Sequence, residues 1–180
     1  MRLLAFIGIV LITSVITPRT SLGLSLSASP LSGQKNNKME FSEQPLAFAQ
    51  IINADFNDSS FSQNTWFQIS IKNTNWLQSR LTGTRISKAD LSFVQFISSD
   101  LAGVKCAHCL LQDVLFEDCY LDGVHFLAST LKNVRFVRSD LSRADFVSTA
   151  CVNCSVDLAT AKTVTPEQLK KWNFVVKDSP

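Results

Sequence analysis

The chain has 180 residues, of which 46% are hydrophobic and 18% are charged, and its formal net charge is +2. It is long enough for one well-buried domain, and the low charge suggests a protein that has little surface per residue or is exported. The near balance of charge, without a basic cluster, leaves no footprint of nucleic-acid binding.

The first segment has the order of a secretory signal peptide. Arg2 precedes an uncharged apolar run from Leu3 to Ile16, and a polar stretch of small residues follows. The run is too short to cross a bilayer comfortably, and this order of regions is typical of export. We therefore predict a signal peptide over residues 1–23, with cleavage after Gly23 or as late as Ser27. An uncleaved anchor is the alternative.

Residues 24–40 are rich in serine and contain "GQKNNK", which is typical of a flexible leader. The next segment, residues 41–160, has a repeat of five residues. In "LKNVRFVRSDLSRADF" the large apolar residues are Leu131, Phe136, Leu141 and Phe146. A helix has a period of 3.6 and a strand a period of 2, so neither alone produces this spacing.

The five-residue register defines two inward positions in every repeat. The centre positions run from Phe56 to Val156 without a charged member, and mostly small residues lie two positions before each centre. Charged residues fall almost entirely on the other three positions. A short extended piece with two inward side chains, followed by a turn, is the simplest backbone for this pattern.

Turn residues set the number of repeats in one coil. Gly83, Gly103 and Gly123 each lie two residues after a centre and recur every twenty residues, and asparagines such as Asn73 and Asn133 share another such column. Gly and Asn tolerate the positive φ that one position of a type II turn requires. Four repeats therefore form one coil of a square solenoid. Ladders of like side chains would fill its interior and leave no ligand cavity.

The segments "ISKADLSFVQF" and "RSDLSRADF" resemble the A(D/N)LXX unit of pentapeptide-repeat proteins. The resemblance implies an all-β solenoid, the right-handed quadrilateral β-helix of that family, here with about five coils. Trp66, Trp76, Cys106 and Cys151 depart from the family pattern as centres, so the solenoid is expected to be less regular there.

Residues 161–180 are predicted to form a C-terminal capping helix and tail. Thr165 is a good N-cap, Pro166 suits the first helical position, and Gln168 completes a capping box. Leu169 and Trp172 would then lie on one helix face and seal the last coil, which would otherwise expose open strand edges.

The cysteines form two pairs, Cys106 with Cys109 and Cys151 with Cys154, and leave Cys119 over. A shared zinc site is disfavoured because the pairs lie two and a quarter coils apart, on different sides. Each pair spans one β-turn, whose ends lie within about 7 Å, so two disulfides are expected in an oxidising compartment. Five reduced, buried cysteines are the equally good alternative.

Outward apolar residues suggest a protein-contact surface. The candidates form one column of Leu77, Ile97 and Val137, a second of Phe67, Leu127 and Val147, and a third group of Leu110, Leu115 and Tyr120 on successive sides of one coil. Arg85, Lys105 and His125 form another outward column, followed by Asp145. It could bind anions weakly, although an ordinary solvated face is the simpler interpretation.

These patterns favour an exported, non-enzymatic scaffold that acts by protein–protein interaction or self-association. They predict no catalytic residue, cofactor, metal or small-molecule substrate, and no membrane contact after signal cleavage. Two alternatives remain open. One is a DNA-mimicking topoisomerase binder, which the charge and the signal segment disfavour. The other is a thiol-disulfide oxidoreductase using "CAHC", although that chemistry needs a cysteine at a helix N-terminus.

Overall fold

The computed structural model describes residues 32–43 and 45–177, so the predicted signal peptide lies outside the described residues. The described chain forms a parallel β-solenoid of about seven turns. Residues twenty apart lie side by side: Ile71 pairs with Leu91 and Trp76 with Phe96. This register confirms the predicted fold class and the four-repeat coil, while the count of about five coils was too low.

We number the four sides of each coil by their centre residues. Side 1 contains Phe56, side 2 Phe61, side 3 Trp66 and side 4 Ile71. The strands of side 1 are β1 (Lys35–Asn37), β4 (Asp55–Asn57), β6 (Ser70–Leu77), β8 (Asp90–Ile97), β11 (Leu115–Glu117), β14 (Arg135–Val137), β16 (Cys154–Val156) and β17 (Phe174–Val176). Side 3 is a separate five-stranded sheet of β2 (Pro45–Ala47), β5 (Thr65–Phe67), β7 (Arg85–Ser87), β9 (Lys105–Ala107) and β12 (His125–Leu127).

Side 4 contains β3 (Gln50–Ile52), β10 (Leu110–Gln112), β13 (Thr130–Lys132) and β15 (Ala150–Val152). The longer strands β6 and β8 begin on side 4 and continue around the corner onto side 1. Side 2 is held by single bridges rather than by strands, as between Arg80 and Asp100. All pairings along the solenoid are parallel, because the chain returns to each side in the same direction.

The interior is filled by the two inward positions of every repeat. Each predicted centre from Phe56 to Val156 is buried. On side 1 the rings of Phe96 and Phe116 stack with centroids 5.2 Å apart and an interplanar angle of 8°. On side 3 the rings of Phe126 and Phe146 lie 5.1 Å apart. The predicted columns of like side chains are therefore present, and they close the interior.

Positive φ was expected two residues after a centre, at the corners occupied by Gly83, Gly103 and Gly123 and by Asn73 and Asn133. The described corners from Lys38 to Asn133 do have positive φ, yet many are occupied by larger residues, such as Gln68 (φ 50°), Lys88 (φ 52°) and Phe93 (φ 56°). The left-handed conformation costs such residues about 1–2 kcal/mol each. The hydrogen bonds between coils hold the corners in it, as from the Lys88 N–H to the Ala107 carbonyl at 3.0 Å.

The solenoid extends further toward the N-terminus than predicted. Lys35–Asn37, assigned above to a flexible leader, forms β1 and pairs with β4. The hydrophobic pattern did not show this coil because both register positions are polar: Gln34 is exposed, and Asn36, which faces the interior, is 9% exposed. Its side chain donates a hydrogen bond to the Gln34 carbonyl at 3.4 Å, which helps to satisfy a buried amide.

The C-terminal end contains the predicted helix and two further elements. α2 (Pro166–Trp172) begins with the complete capping box of Thr165 and Gln168, and Trp172 is buried against Phe146. A short α1 (Leu158–Ala161) precedes it, with Asp157 as N-cap. The tail after α2 returns as β17, where Phe174 pairs with Cys154. Residues 174–176 are thus a strand and not a tail, in keeping with their aromatic and β-branched side chains.

Candidate functional site

Two disulfides lie at corners of the solenoid. Cys106–Cys109 and Cys151–Cys154 each join a centre to the next inward position, with Cα atoms 6.1 and 5.9 Å apart. All four cysteines are buried. The first bridge spans the corner between sides 3 and 4, and the second the corner between sides 4 and 1. Within the described part of the chain, no group of His, Cys, Asp and Glu side chains could hold a metal ion.

Cys119 is a buried free thiol within a column of hydroxyl side chains. Ser59, Ser79, Ser99, Ser139 and, in α1, Thr160 continue this column above and below it. The Ser139 Oγ accepts a hydrogen bond from the Cys119 N–H at 3.1 Å, and the Cys119 thiol lies 3.2 Å from the Phe96 carbonyl oxygen. Burial raises the pKa of Cys119 to about 12, so its thiol stays protonated and unreactive.

Side chains at the junction of the solenoid with α1 form a charged cluster. Arg138 binds Asp118 through two hydrogen bonds, of 2.8 and 2.9 Å, and also contacts Glu117. The Arg138 hydrogen bond lowers the pKa of Asp118 below its ordinary value. Burial alone would raise the pKa of Asp157, but hydrogen bonds from Thr160 and from the Arg138 N–H lower it overall. This cluster attaches α1 to side 1.

The predicted basic column lies on side 3. Arg85 pairs with Lys105, Lys105 with His125, and His125 with Asp145 in successive coils. His125 Nδ1 lies 3.6 Å from an Asp145 carboxylate oxygen. The register therefore places three basic side chains in one line and a carboxylate at its end, as the sequence predicts.

A cavity of about 330 Å³ opens on side 3 beside this column. Lys105, His125 and Asp145 form its polar edge, while Ala107, Leu127 and Val147 form its apolar edge. Cys106 and Phe126, which are buried centres, also line it. The five-residue register predicts the two outward columns but not the cavity, because the depth of the cavity depends on how far each neighbouring side chain projects.

The predicted contact residues do not form one surface. Leu77 and Ile97 pair on side 1, but Glu117 separates them from Val137. Val137 is 6% exposed, because β14 lies against α1, so its assignment to an exposed contact surface was wrong. The remaining candidates, Phe67, Leu127 and Val147 on side 3 and Leu110, Leu115 and Tyr120 on three different sides, are half-buried or exposed.

Other exposed apolar side chains were missed. Phe48 and Phe93 occupy corner positions and are 63% and 53% exposed. Both lie two residues after a centre, so the five-residue register itself contained the signal that they face outward. Phe48 packs edge-on against Phe67, with centroids 5.7 Å apart, at the N-terminal end of side 3. Val152, Leu158, Val175 and Val176 are also exposed, near the C-terminal end.

The geometry defines a class of protein in which a parallel β-solenoid has a filled interior and outward side chains form its surface. The family model "Pentapeptide repeat region" matches residues 89–164, and "Pentapeptide repeats (8 copies)" matches residues 70–103. The chain is therefore a pentapeptide-repeat protein. No curated protein matches it in sequence.

Among the solved structures that are similar to this chain, two serve as examples. One is trypsin-treated QnrB1, described as a plasmid-mediated fluoroquinolone resistance protein, with 18% identity and a TM-score of 0.52 over 72% of this chain and 70% of that chain. The other is the pentapeptide-repeat protein Rfr23 from the cyanobacterium Cyanothece 51142, with 12% identity and a TM-score of 0.37 over 71% of this chain and 87% of that chain. At this identity the likeness to QnrB1 shows the shared fold alone.

No helix among the described residues is long and apolar enough to span a membrane.

Proposed function

We propose that the protein is an exported, non-enzymatic scaffold that binds another protein through the outer faces of its solenoid. The observation that carries the proposal is the filled interior: every centre from Phe56 to Val156 is buried, and so is every residue two positions before these centres except Thr149, which is half-buried. Recognition therefore depends on the surface, where the outer faces present exposed apolar residues such as Tyr120 and Leu127.

Export is supported by the cysteines and by the N-terminal pattern. Disulfides persist mainly in oxidising compartments, and four of the five inward cysteines in this solenoid are bridged. The apolar run Leu3–Ile16 has the length and flanks of a signal peptide. The two features are independent, since neither the repeat nor its register requires either of them.

Both alternative functions are disfavoured by specific side chains. A mimic of duplex DNA needs a strongly acidic surface, whereas side 3 presents Arg85, Lys88 and Lys105. A thiol-disulfide oxidoreductase needs a thiolate stabilised at a helix N-terminus. Cys106 lies in strand β9 and Cys154 in strand β16, and both are buried.

Intact mass of the protein expressed with its full N-terminus, measured without reductant before and after alkylation of the unfolded chain, tests export. We expect a chain that starts at Leu24 or Ala28, with four cysteines protected and one alkylated. A full-length mass with five alkylated cysteines would contradict export. Cross-linking in the native compartment tests the scaffold role: a specific complex with another protein is expected, and an uncross-linked monomer would contradict it.

A further inference from the structure

Side 3 differs from the other sides in its charge. Its outward and corner positions carry Arg85, Lys88 and Lys105 together with the protein's only two histidines, His108 and His125. Among the described residues of this side, Asp145 is the single carboxylate. Side 2 has the opposite character, with the acids Glu40, Glu43, Asp100, Asp122 and Asp140 against two arginines, Arg80 and Arg143. Side 3 is therefore a basic face, although the net charge of the whole chain is small.

An apolar column runs beside the basic one on side 3. It consists of Ala47, Phe67, Ala107, Leu127 and Val147, interrupted by Ser87. Residues two apart on a strand are separated by about 6.6–6.8 Å, so the two columns lie within reach of one bound chain. Leu127 and Val147 are each 46% exposed, and nothing among the described residues covers them.

The cavity lies between these columns. Lys105 and His125 border it on the basic side, and Leu127 and Val147 border it on the apolar side. Its volume of about 330 Å³ is at the lower end of the range for small-molecule sites, about 300–1,000 Å³, and it is open to solvent. A site that is open to solvent in this way suits a side chain that projects from a larger partner.

We propose that side 3 docks an extended acidic segment of a partner protein. Its carboxylates pair with Arg85 and Lys105, and an apolar side chain beyond the Lys105 end of the acidic stretch enters the cavity against Leu127 and Val147. Asp145 repels a carboxylate at the C-terminal end of the column, so the acidic residues lie toward Arg85 and the apolar residue toward Val147. This inference rests on the proposed protein-binding function and specifies its surface and the chemistry of the partner.

A nucleic acid fits this surface less well than a polypeptide. A phosphate backbone presents no apolar group to Leu127 and Val147, and it would bring a phosphate toward Asp145. Its affinity would also rest on few contacts, since Arg85, Lys88 and Lys105 are the permanent cations of the face. An acidic peptide with apolar residues satisfies both columns at once.

Fluorescence anisotropy with a labelled ten-residue peptide, Glu in its first half and Leu in its second half, tests the docking surface on the processed, oxidised protein. We expect Lys105→Glu to weaken binding at least tenfold. Lys132→Glu makes the same charge change on side 4 and should weaken it less than twofold. Val147→Asn should weaken binding about fivefold, whereas Val152→Asn, at the equivalent position of side 4, should leave it within twofold. A peptide with Gln in place of Glu should bind at least tenfold more weakly.

Several outcomes would overturn the inference. These are no binding at millimolar peptide, equal effects of the side 3 and side 4 variants, equal binding of the Gln peptide, or tighter binding of a short DNA duplex that Lys105→Glu abolishes. Circular dichroism of each variant checks that the fold is intact. Cross-linking in the native compartment separates this inference from the proposed function. If a partner cross-links equally to wild type and to the Lys105→Glu, Val147→Asn double variant, side 3 is wrong and protein binding stands. If wild type cross-links to no protein, the proposed function itself fails.

Discussion

The rings of Phe116 and Phe136 stack with centroids 5.0 Å apart and an interplanar angle of 6°. Phe96 stacks on the other face of Phe116, so the ring of Phe116 lies between two other phenylalanine rings, one from each neighbouring coil. Because these rings are held by strands paired twenty residues apart, the stack and the backbone register depend on each other.

Phe116→Ala should lower the free energy of unfolding by about 3–5 kcal/mol, because it leaves a cavity in the middle of this stack. Lys132→Ala, at an exposed outward position, should change it by less than about 0.5 kcal/mol. Urea denaturation followed by circular dichroism measures both. A loss for Phe116→Ala as small as that for Lys132→Ala would show that the column is not packed as described.

Trp76→Phe should change the free energy of unfolding by no more than about 1 kcal/mol in either direction, despite removing a large buried side chain. Among the described residues, the indole Nε1 of Trp76 has no hydrogen-bond partner. Removing a buried unsatisfied donor recovers about 1–3 kcal/mol, which offsets the lost packing. Phe96→Leu in the same column removes no unsatisfied donor and loses the stacking contacts of the ring. It should therefore lower the free energy of unfolding by more than Trp76→Phe does. A larger loss for Trp76→Phe than for Phe96→Leu in urea denaturation would contradict this reasoning.

Acid should destabilise the end of the solenoid that carries α1. The folded-state pKa values of Asp118 and Asp157 are lower than in the unfolded chain, so both carboxylates stabilise the fold at neutral pH. That contribution is present above about pH 4, the ordinary Asp value, and is lost as the pH falls through the folded-state pKa values. The melting temperature should therefore be level from pH 7 to about 5 and fall below about pH 4.

The double variant Asp118→Asn, Asp157→Asn should show a lower melting temperature at pH 7 and a shallower decline in acid. Asn keeps much of the N-cap hydrogen bonding while it removes the charge. Identical acid profiles for the variant and wild type would show that other groups control the decline.

The Cys119 thiol should resist alkylation in the folded protein. It is 4% exposed, and its pKa of about 12 leaves very little thiolate at pH 8. Iodoacetamide at pH 8 should therefore modify no cysteine until denaturant is added, and then one. Cys119→Ser supplies the hydroxyl that its column has in most other coils and should keep the protein folded. Rapid modification of native protein, with its circular dichroism unchanged, would contradict this burial.

Reduction should weaken the protein without unfolding it. Each disulfide closes a loop of only four residues, for which the chain-entropy model gives about 2 kcal/mol. The melting temperature measured with and without reductant should thus differ by several degrees, with the β-sheet circular dichroism retained at 25 °C. In a Cys106→Ser, Cys109→Ser variant the melting temperature should fall by about half as much as it does on full reduction. Complete unfolding on reduction would show that the corners depend on their bridges.

The sequence predicts those parts of the fold where large apolar residues mark the register. Leu131, Phe136 and Leu141 recur at a spacing that one backbone explains, and all are buried. The first coil was missed because Asn36 fills an inward position, and a buried amide is acceptable only where a hydrogen-bond partner exists, which periodicity does not reveal. Val137 was misjudged because α1 comes from outside the repeat and covers an outward position of side 1.

The candidate site, too, could be predicted from the sequence only in part. Lys105 and Val147 could be placed on side 3 by counting residues, and so could the corner pair Cys106 and Cys109. The cavity between the two outward columns could not, because it depends on the direction and length of individual side chains. Charge segregation was visible only after each outward residue was assigned to a side.

The twenty-residue pairing of Ile71 with Leu91 has a consequence for how such a chain can change its length. Insertion of one residue would turn every later inward side chain outward, whereas duplication of a whole coil would keep all columns aligned and move the two ends apart by about 4.8 Å. The length of such a protein can therefore change in fixed steps of one coil, while the end that carries α1 and α2 stays the same.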